Sequence, residues 1–563
     1  MENQRTLLYI SFAMILFLLW SSWQQDYGPQ PVQTTEQSSA SESSSIATDD
    51  MPGAVAPTTA KNDMPMADKV VDSQGKMPEM KAIPEKASRQ AIHVLTDKLD
   101  IIIDTRGGDI RSVKLLDYPQ SPDEPDQPFL LMGGQDDKFF IAQSGLVSAD
   151  SKAPSHHAIY NAAQTDYQLR EGQDSLSVDL TWQEEGVNVV KTYTFSRDSY
   201  AIDVTHKVSA NADWNGSQYS QLIRAEPQSQ ENQFIYTYTG GVVYNDEVKY
   251  EKVEFSDMAD KSLDIEGPAT FKAGWAAMIQ HYFMSAWVPG AEENNFYYTN
   301  KTGDNRYMLG LRSSAVSVKA GETTEFKRIL VVGPKLQHKL EAIAPGLELT
   351  VDYGFLTIIA KPLFWLLEIF YDFFANWGLA IIFLTMTVKL IFYKLSEASY
   401  RSMAKMRKLG PRLKNLKERY GDDRQAMSKA MMDMYKTEKI NPLGGCFPML
   451  VQIPVFIALY WVLLESVEMR NAPFMLWLDN LSAKDPYFVL PLLMGASMYI
   501  QFKLNPAPMD PIQQKVFQFM PIIFTVFFAF FPSGLVLYWV VNNILSIAQQ
   551  YVITKRIEAG ESK

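Results

Sequence analysis

The sequence has a single cysteine, Cys446, among its 563 residues. One thiol excludes an intramolecular disulfide framework and the paired-cysteine spacing of redox and zinc-ribbon sites. Histidine is also scarce: the six are His93, His156, His157, His206, His281 and His338. None falls in an HExxH pattern or a tight ligand spacing, so no metal and no cofactor is expected. No G-x-x-x-x-G-K-[ST] loop occurs, which excludes chemistry driven through a nucleotide-binding loop of that kind. Charge is missing from long stretches. Residues 6–25, 373–388, 440–464, 486–502 and 516–554 contain no Asp, Glu, Lys or Arg.

Those stretches define the architecture. Thr6–Gln25 is 20 residues, about 30 Å of helix and one bilayer core. It ends in Leu19-Trp20-Ser21-Ser22-Trp23 and lacks the small-residue pattern of a cleavage site, so it reads as an uncleaved anchor. Val516–Thr554 is too long for one span, and Phe531-Pro532-Ser533-Gly534 breaks it at a turn. The sequence therefore predicts six spans, one early and five late.

Orientation follows from the short loops. Between Lys394 and Lys439 there are 13 basic residues against 6 acidic, whereas Glu465–Asp485 has only Arg470 and Lys484 as basic residues. The first loop is cytoplasmic by this rule and the second lies outside, which places both termini in the cytoplasm. Residues 24–349 carry 29 Lys+Arg against 47 Asp+Glu, an acidic surplus of 18. The rest of the chain carries a basic surplus of 6, and together they return the net charge of −12. The acidic part is the exported one.

Within that part, residues 26–90 are rich in Gln, Ser, Thr, Ala and Pro without apolar periodicity and read as a disordered tether. Beyond it the apolar period becomes two. Lys98–Asp104 and Ile110–Tyr118 flank a Gly107-Gly108 hairpin signal, and Leu176–Trp182 and Val187–Phe195 flank another. Ala201–Val208 and Thr323–Val332 are further strands, and Lys335–Ala344 is a short closing helix. Many strands over some 250 residues predict an antiparallel β-sandwich. His156-His157 reads as a solvated polar loop and His281 as a satisfied core residue. The many carboxylates select no pair by spacing, so a carbohydrate site stays an alternative.

In the membrane half, Thr350–Asp372 mixes charges with aromatic and aliphatic residues and suits an amphipathic helix in the outer interface. Lys389 stands inside an apolar run, where a cation is costly and marks function, although its stem is long enough to snorkel. Thr385, Gln452, Asn542 and Asn543 supply polar company at comparable depth, and Tyr538 and Trp539 line the same region or an aromatic belt. No span carries a carboxylate to pair with Lys389, which counts against an ion-coupled transporter. The basic loop reads as a helical hairpin, with Met403, Met406, Leu409, Leu413 and Leu416 on one helix. Gly421 ends that helix, and Asp422-Asp423 caps a second carrying Met427, Met431, Met434 and Tyr435. Its charged face includes Arg401, Lys405, Arg407, Lys408, Arg412, Lys414 and Lys417. That face suits RNA or acidic lipid, or is a solvated inside-positive loop.

Four segments resemble the YidC/Oxa/Alb insertase family. They are Tyr400-Arg-Ser-Met-Ala-Lys-Met406, Asn441-Pro-Leu-Gly-Gly-Cys-Phe-Pro448, Gln452-Ile-Pro-Val-Phe456 and Phe531-Pro-Ser-Gly-Leu-Val-Leu-Tyr538. The anchor with a large exported domain is similar to the Gram-negative form. The resemblance implies a multi-domain fold: a polytopic α-helical membrane protein with a periplasmic β-sandwich like galactose mutarotase and no enzymatic activity. It implies insertion and chaperoning of nascent inner-membrane proteins through a hydrophilic, positively charged groove. Lys389 matches the basic groove position, which is usually Arg in the family, and Thr385 and Trp539 match substrate-facing ones. Gln452, Tyr538, Asn542 and Asn543 complete the expected groove. Met403, Met406, Arg407, Lys408, Arg412, Met427 and Met431 form the expected cytoplasmic docking surface. The implied partners are nascent membrane proteins, the Sec translocon (SecYEG and SecDF), the ribosome, signal recognition particle components and the lipid bilayer, with no DNA. A channel or transporter using the same cavity, and an anchored periplasmic carbohydrate-binding protein, are the alternatives.

The expected organisation is a cytoplasmic N-terminus (1–5), anchor (6–25), tether (26–90), β-sandwich (91–348) and interfacial helix (349–372). The second span (373–395), the hairpin (396–440) and the third span (441–465) follow. A periplasmic loop (466–485), fourth span (486–503), cytoplasmic loop (504–515), fifth and sixth spans (516–532 and 534–554) and a tail (555–563) complete it.

Overall fold

The computed structural model describes residues 89–563, except 122–123, 136–137, 228–236, 260–269, 304, 422, 439–446, 506–510 and 560–563. The expected anchor and tether lie outside the described residues apart from Arg89 and Gln90, as does most of the segment Asn441–Pro448.

Period-two sequences become two stacked sheets. Val187–Ser196 and Ala201–Ala210 alternate buried and open positions, and pair antiparallel with each other and with Ser175–Glu184 and Thr323–Pro334. These strands form the middle of a nine-stranded sheet. The other sheet has eleven strands, with Arg306–Ser313, Trp214–Ala225, Phe140–Ser148, Asp109–Ser121 and Leu99–Asp104 side by side. Gly107 and Gly108 turn the Leu99–Ser121 hairpin with φ of 75° and 60°, values that favour glycine. The core between the sheets contains Ile103, Val113, Leu222, Leu309, Val204 and Leu330.

Two cations cross this core. Lys191 Nζ donates to the carbonyls of Gly107 and Ser144, each at 2.9 Å, and burial pushes its pKa down to about 8. Arg328 donates to Ser220 Oγ, Leu311 O, Asn295 Oδ1 and Glu293 Oε1, stapling one sheet to the other. His156 is a correction to the solvated reading. It is buried, and its ring Nδ1 and backbone N–H both meet Tyr219 Oη, at 2.6 and 2.8 Å.

The helices from Thr357 onward are α1 (Thr357–Phe374), α2 (Trp377–Ile391), α3 (Tyr393–Lys408), α4 (Gly410–Tyr420) and α5 (Arg424–Thr437). They continue as α6 (Phe447–Glu465), α7 (Val489–Leu504), α8 (Pro511–Phe528) and α9 (Ser533–Glu558). The boundary at 372/373 moves. α1 runs to Phe374 and is closed by Ala375 at φ 49°, and Asn376 then caps α2, accepting from Leu379 N at 3.0 Å. The hairpin also differs: its first arm is two helices, interrupted at Leu409 where Pro411 follows Gly410. Asp423 caps α5 as expected, accepting from Gln425 N and Ala426 N. By length and composition, Gly354–Phe374 is the one described helix able to cross a membrane alone. Trp377–Ile391 and Tyr393–Met406 qualify together but bend by 66°. Val451–Glu465, Val489–Leu504 and Lys515–Phe528 are shorter apolar helices.

The two halves meet at the end of α6. Leu464 O accepts from His281 Nε2 at 2.8 Å, so the ring is satisfied, and burial lowers its pKa to about 4. Glu465 Oε2 lies 3.2 Å from Lys335 Nζ, with side chains 7% and 2% exposed. Val467 joins the sandwich core, and the Arg470 guanidinium lies 5.3 Å from the ring centroids of both Phe129 and Phe283. Lys252–Asp352 and His338–Glu368 pair nearby.

Removing one partner of a buried ion pair costs about 3–5 kcal/mol because the other charge is left without compensation. Lys335→Met should therefore lower the unfolding temperature and speed amide exchange at 465–470. Adding Glu465→Gln should recover much of the loss; no recovery would show that the pair itself is not what matters. A pH effect is expected beside it. Glu468 Oε2 is enclosed without a hydrogen-bond partner, and burial pushes its pKa from 4.5 up to about 7. The folded chain then holds a proton that the unfolded chain releases. Its stability contribution is present below about pH 4.5 and is lost as pH rises to about 7. Relative to wild type, Glu468→Gln should gain stability between pH 5 and 8, read by thermal melts across that range.

Candidate functional site

Lys389 lies in the last turn of α2, and its side chain enters a polar cluster among apolar helices. Its ammonium donates to Ser546 Oγ at 2.8 Å and to Gln452 Oε1 at 3.3 Å. Gln452, from α6, donates through Nε2 to Asn542 Oδ1 on α9. Ser546 Oγ in turn donates to Asn542 O at 2.7 Å, one turn back along the same helix. Three helices thus close a ring of Lys389, Gln452, Asn542 and Ser546. Lys389 is 8% exposed, and among the described residues no carboxylate pairs with it. An ammonium has three N–H donors; this one uses two, both on neutral oxygens.

The other expected groove residues divide. Tyr538 stacks on Phe456 of α6 with ring centroids 6.0 Å apart and Trp539 meets it edge-on at 4.9 Å, forming an aromatic wall beside the ring. Thr385 is one turn before Lys389 and buried; its hydroxyl donates to Ile381 O at 2.7 Å within its own helix. Asn543 does not join. Its Nδ2 donates to Ser497 Oγ of α7 at 3.0 Å, on a different face of α9. Ser546 was missed, although its spacing from Asn542 placed it on the same helix face. Tyr400 was missed too: its hydroxyl reaches Ser546 O at 3.4 Å, bringing α3 against the site.

In the hairpin, Leu409 and Leu413 pack against Met431, Met434 and Tyr435. Leu413 and Met431 therefore belong to the seam, whereas Met403, Met406 and Met427 lie outside that buried cluster. Arg412 is exposed and pairs with Glu438 at 2.5 Å, tying the two arms. Arg407 and Lys408 close α3, and their side chains lie outside the described residues. Among the described residues, no group of three or more His, Cys, Asp or Glu is arranged to hold a metal ion.

Comparison with known proteins agrees across both halves. Residues 91–366 match the model of the YidC periplasmic domain, and residues 369–560 match that of the 60Kd inner membrane protein. The membrane protein insertase YidC of Methylococcus capsulatus is 52% identical, with 100% of both chains covered. That of Thioalkalivibrio sulfidiphilus is also 52% identical over 100% of both. A crystal structure of an active YidC insertase with its first transmembrane domain resolved covers 83% of this chain and 93% of its own, at 17% identity and a TM-score of 0.38. A galactose mutarotase related enzyme from Lactobacillus acidophilus aligns with 43% of this chain and 97% of its own, at 8% identity and a TM-score of 0.28. Identity over the full length and the match of both family models establish that this chain belongs to the YidC family of membrane protein insertases, inner-membrane proteins with a periplasmic domain.

Proposed function

We propose that the Lys389 ring is where this insertase receives the polar part of a client chain. The supporting observation is the ammonium held by Gln452 and Ser546 alone, with one N–H left over. A nascent chain with a polar segment ahead of its apolar span faces a desolvation barrier. A hydrated, positive groove reaching part-way into the bilayer lowers that barrier, and the apolar span then passes into lipid along the open side. A client carboxylate replaces a neutral acceptor at Lys389 without having to displace a resident counter-ion. Thr385, Tyr538, Trp539 and Asn542 line the path, and Asn543 supports α7 behind it.

The same reading keeps six spans, both termini in the cytoplasm and α1 in the outer interface. α1 sends Lys361 to Glu348 and Glu368 to His338 of the exported half, and exposes Ile358, Trp365 and Phe373 around its apolar side. The hairpin Glu397–Glu438 is the docking surface for the ribosome and signal recognition particle components, and the Sec translocon is a second partner.

Two outcomes test this. In proteoliposomes, Lys389→Arg should insert single-span clients as wild type does. Lys389→Met should lose about tenfold for clients with an acidic translocated segment, on the scale of one charge-assisted hydrogen bond, and little for neutral ones. Equal efficiency of the Met variant across a client series differing only in that charge would remove Lys389 from the mechanism. Charge reversal of Arg407, Lys408 and Arg412 should weaken ribosome co-sedimentation, and salt should weaken the wild-type contact in parallel. Unchanged co-sedimentation across a salt series would move docking elsewhere.

A further inference from the structure

We propose that the β domain binds a small organic oxyanion in a cavity on the outer face of its eleven-stranded sheet. This cavity, of about 310 Å³, shares no residue with the Lys389 ring. Alternation along the strands puts Ile141, Gln143, Gln221 and Ile223 on the face turned away from the sandwich core, opposite Ala142 and Leu222. Ile141 and Ile223 give the cavity an apolar floor, and Phe139 adds an aromatic edge.

Three guanidinium groups stand over that floor: Arg106, Arg111 and Arg306. Each is positioned by a contact of its own. A one-way chain of hydrogen bonds crosses the sheet, from Tyr298 Oη to Gln221 Oε1 (2.8 Å), Gln221 Nε2 to Gln143 Oε1 (2.9 Å) and Gln143 Nε2 to Asp109 Oδ2 (2.6 Å). It ends on the fully buried Asp109 carboxylate, which holds Arg111 Nη2 at 3.0 Å. Arg306 lies over the Phe139 ring, its Cζ 3.9 Å from the centroid. Arg106 Nη2 donates to His157 Nδ1 at 3.3 Å, which places that ring's proton, when neutral, on Nε2. The backbone beneath is fixed: Gly107 N donates to Ala158 O, and a Cβ on Gly107 would sit 2.5 Å from His156 O.

The charge balance favours an anion. Among the described residues the lining has three guanidinium groups and no carboxylate. The carboxylates of the Leu99–Ser121 hairpin that face these groups are engaged: Asp109 with Arg111, and Asp104 with Arg89 at 2.5 Å and more distantly with Arg111 at 3.8 Å. Planar forks on separate elements suit a carboxylate or phosphate group, while the isoleucine floor suits a carbon body.

The test uses the full-length protein in detergent, titrated with citrate, inorganic phosphate and uncharged galactose at constant ionic strength, by calorimetry and thermal melts. Citrate should bind saturably, phosphate more weakly and galactose not at all. Arg106→Gln and Arg306→Gln should each weaken citrate about tenfold, and Arg306→Lys less. Arg106 is exposed, so its substitution should leave the ligand-free melting temperature unchanged. The proposal is overturned if neither anion binds saturably, if both Gln variants bind citrate as wild type does, or if galactose binds as tightly as citrate. Because Lys389 is untouched, client insertion by these variants reads the groove separately.

Discussion

The last turn of α6 has carbonyl groups that no further helical residue can satisfy, and the exported domain satisfies one of them. His281 donates to Leu464 O, and Lys335 places a positive charge beside Glu465. Gln452 lies thirteen residues back along the same helix, about 20 Å away at the helical rise. The exported domain therefore fixes one end of the rod whose other part supplies an acceptor to Lys389. Arg470 beside the stacked Phe129–Phe283 pair and Val467 in the sandwich core keep the loop beyond α6 from swinging free.

Buried cations are handled differently in the two halves. Arg328 is held through both terminal nitrogens by Ser220, Leu311, Asn295 and the Glu293 carboxylate, with only its buried Nε left over, so it acts as a staple. Lys389 has two neutral acceptors and a spare donor. Four bonds with a carboxylate among the acceptors stabilise a fixed arrangement; two bonds to neutral acceptors leave room for a better one to arrive.

Local chemistry was legible in the sequence and distant chemistry was not. Period-two alternation located Val187–Ser196 and Ala201–Ala210 to within two residues, because one face of each strand packs into the core. Asp423 and the Phe531–Gly534 turn were also legible, being signals carried by neighbouring residues. Lys335 with Glu465 spans 130 positions, and Arg328 with Ser220 spans 108; no periodicity couples residues so far apart. His156 misled because its polar neighbours suggested solvent, while the hydroxyl it meets, that of Tyr219, comes from a strand 63 positions away. At the candidate site Lys389 stood out by its cost in an apolar run. Ser546 did not, since a serine in an apolar helix is unremarked until its partner is known. Asn542 and Asn543 are adjacent in sequence, and the helix turns them to different neighbours.

The break at Phe392 looks like an interruption of one longer helix, yet it ends α2 two residues beyond Lys389. A helix end carries about half a negative elementary charge on its unsatisfied carbonyls, felt within the last turn. Were α2 and α3 one straight rod, that field would appear far down the hairpin instead. The bend puts the negative end of α2 in the same turn as Lys389, where backbone dipoles favour a positive charge that no carboxylate among the described residues balances.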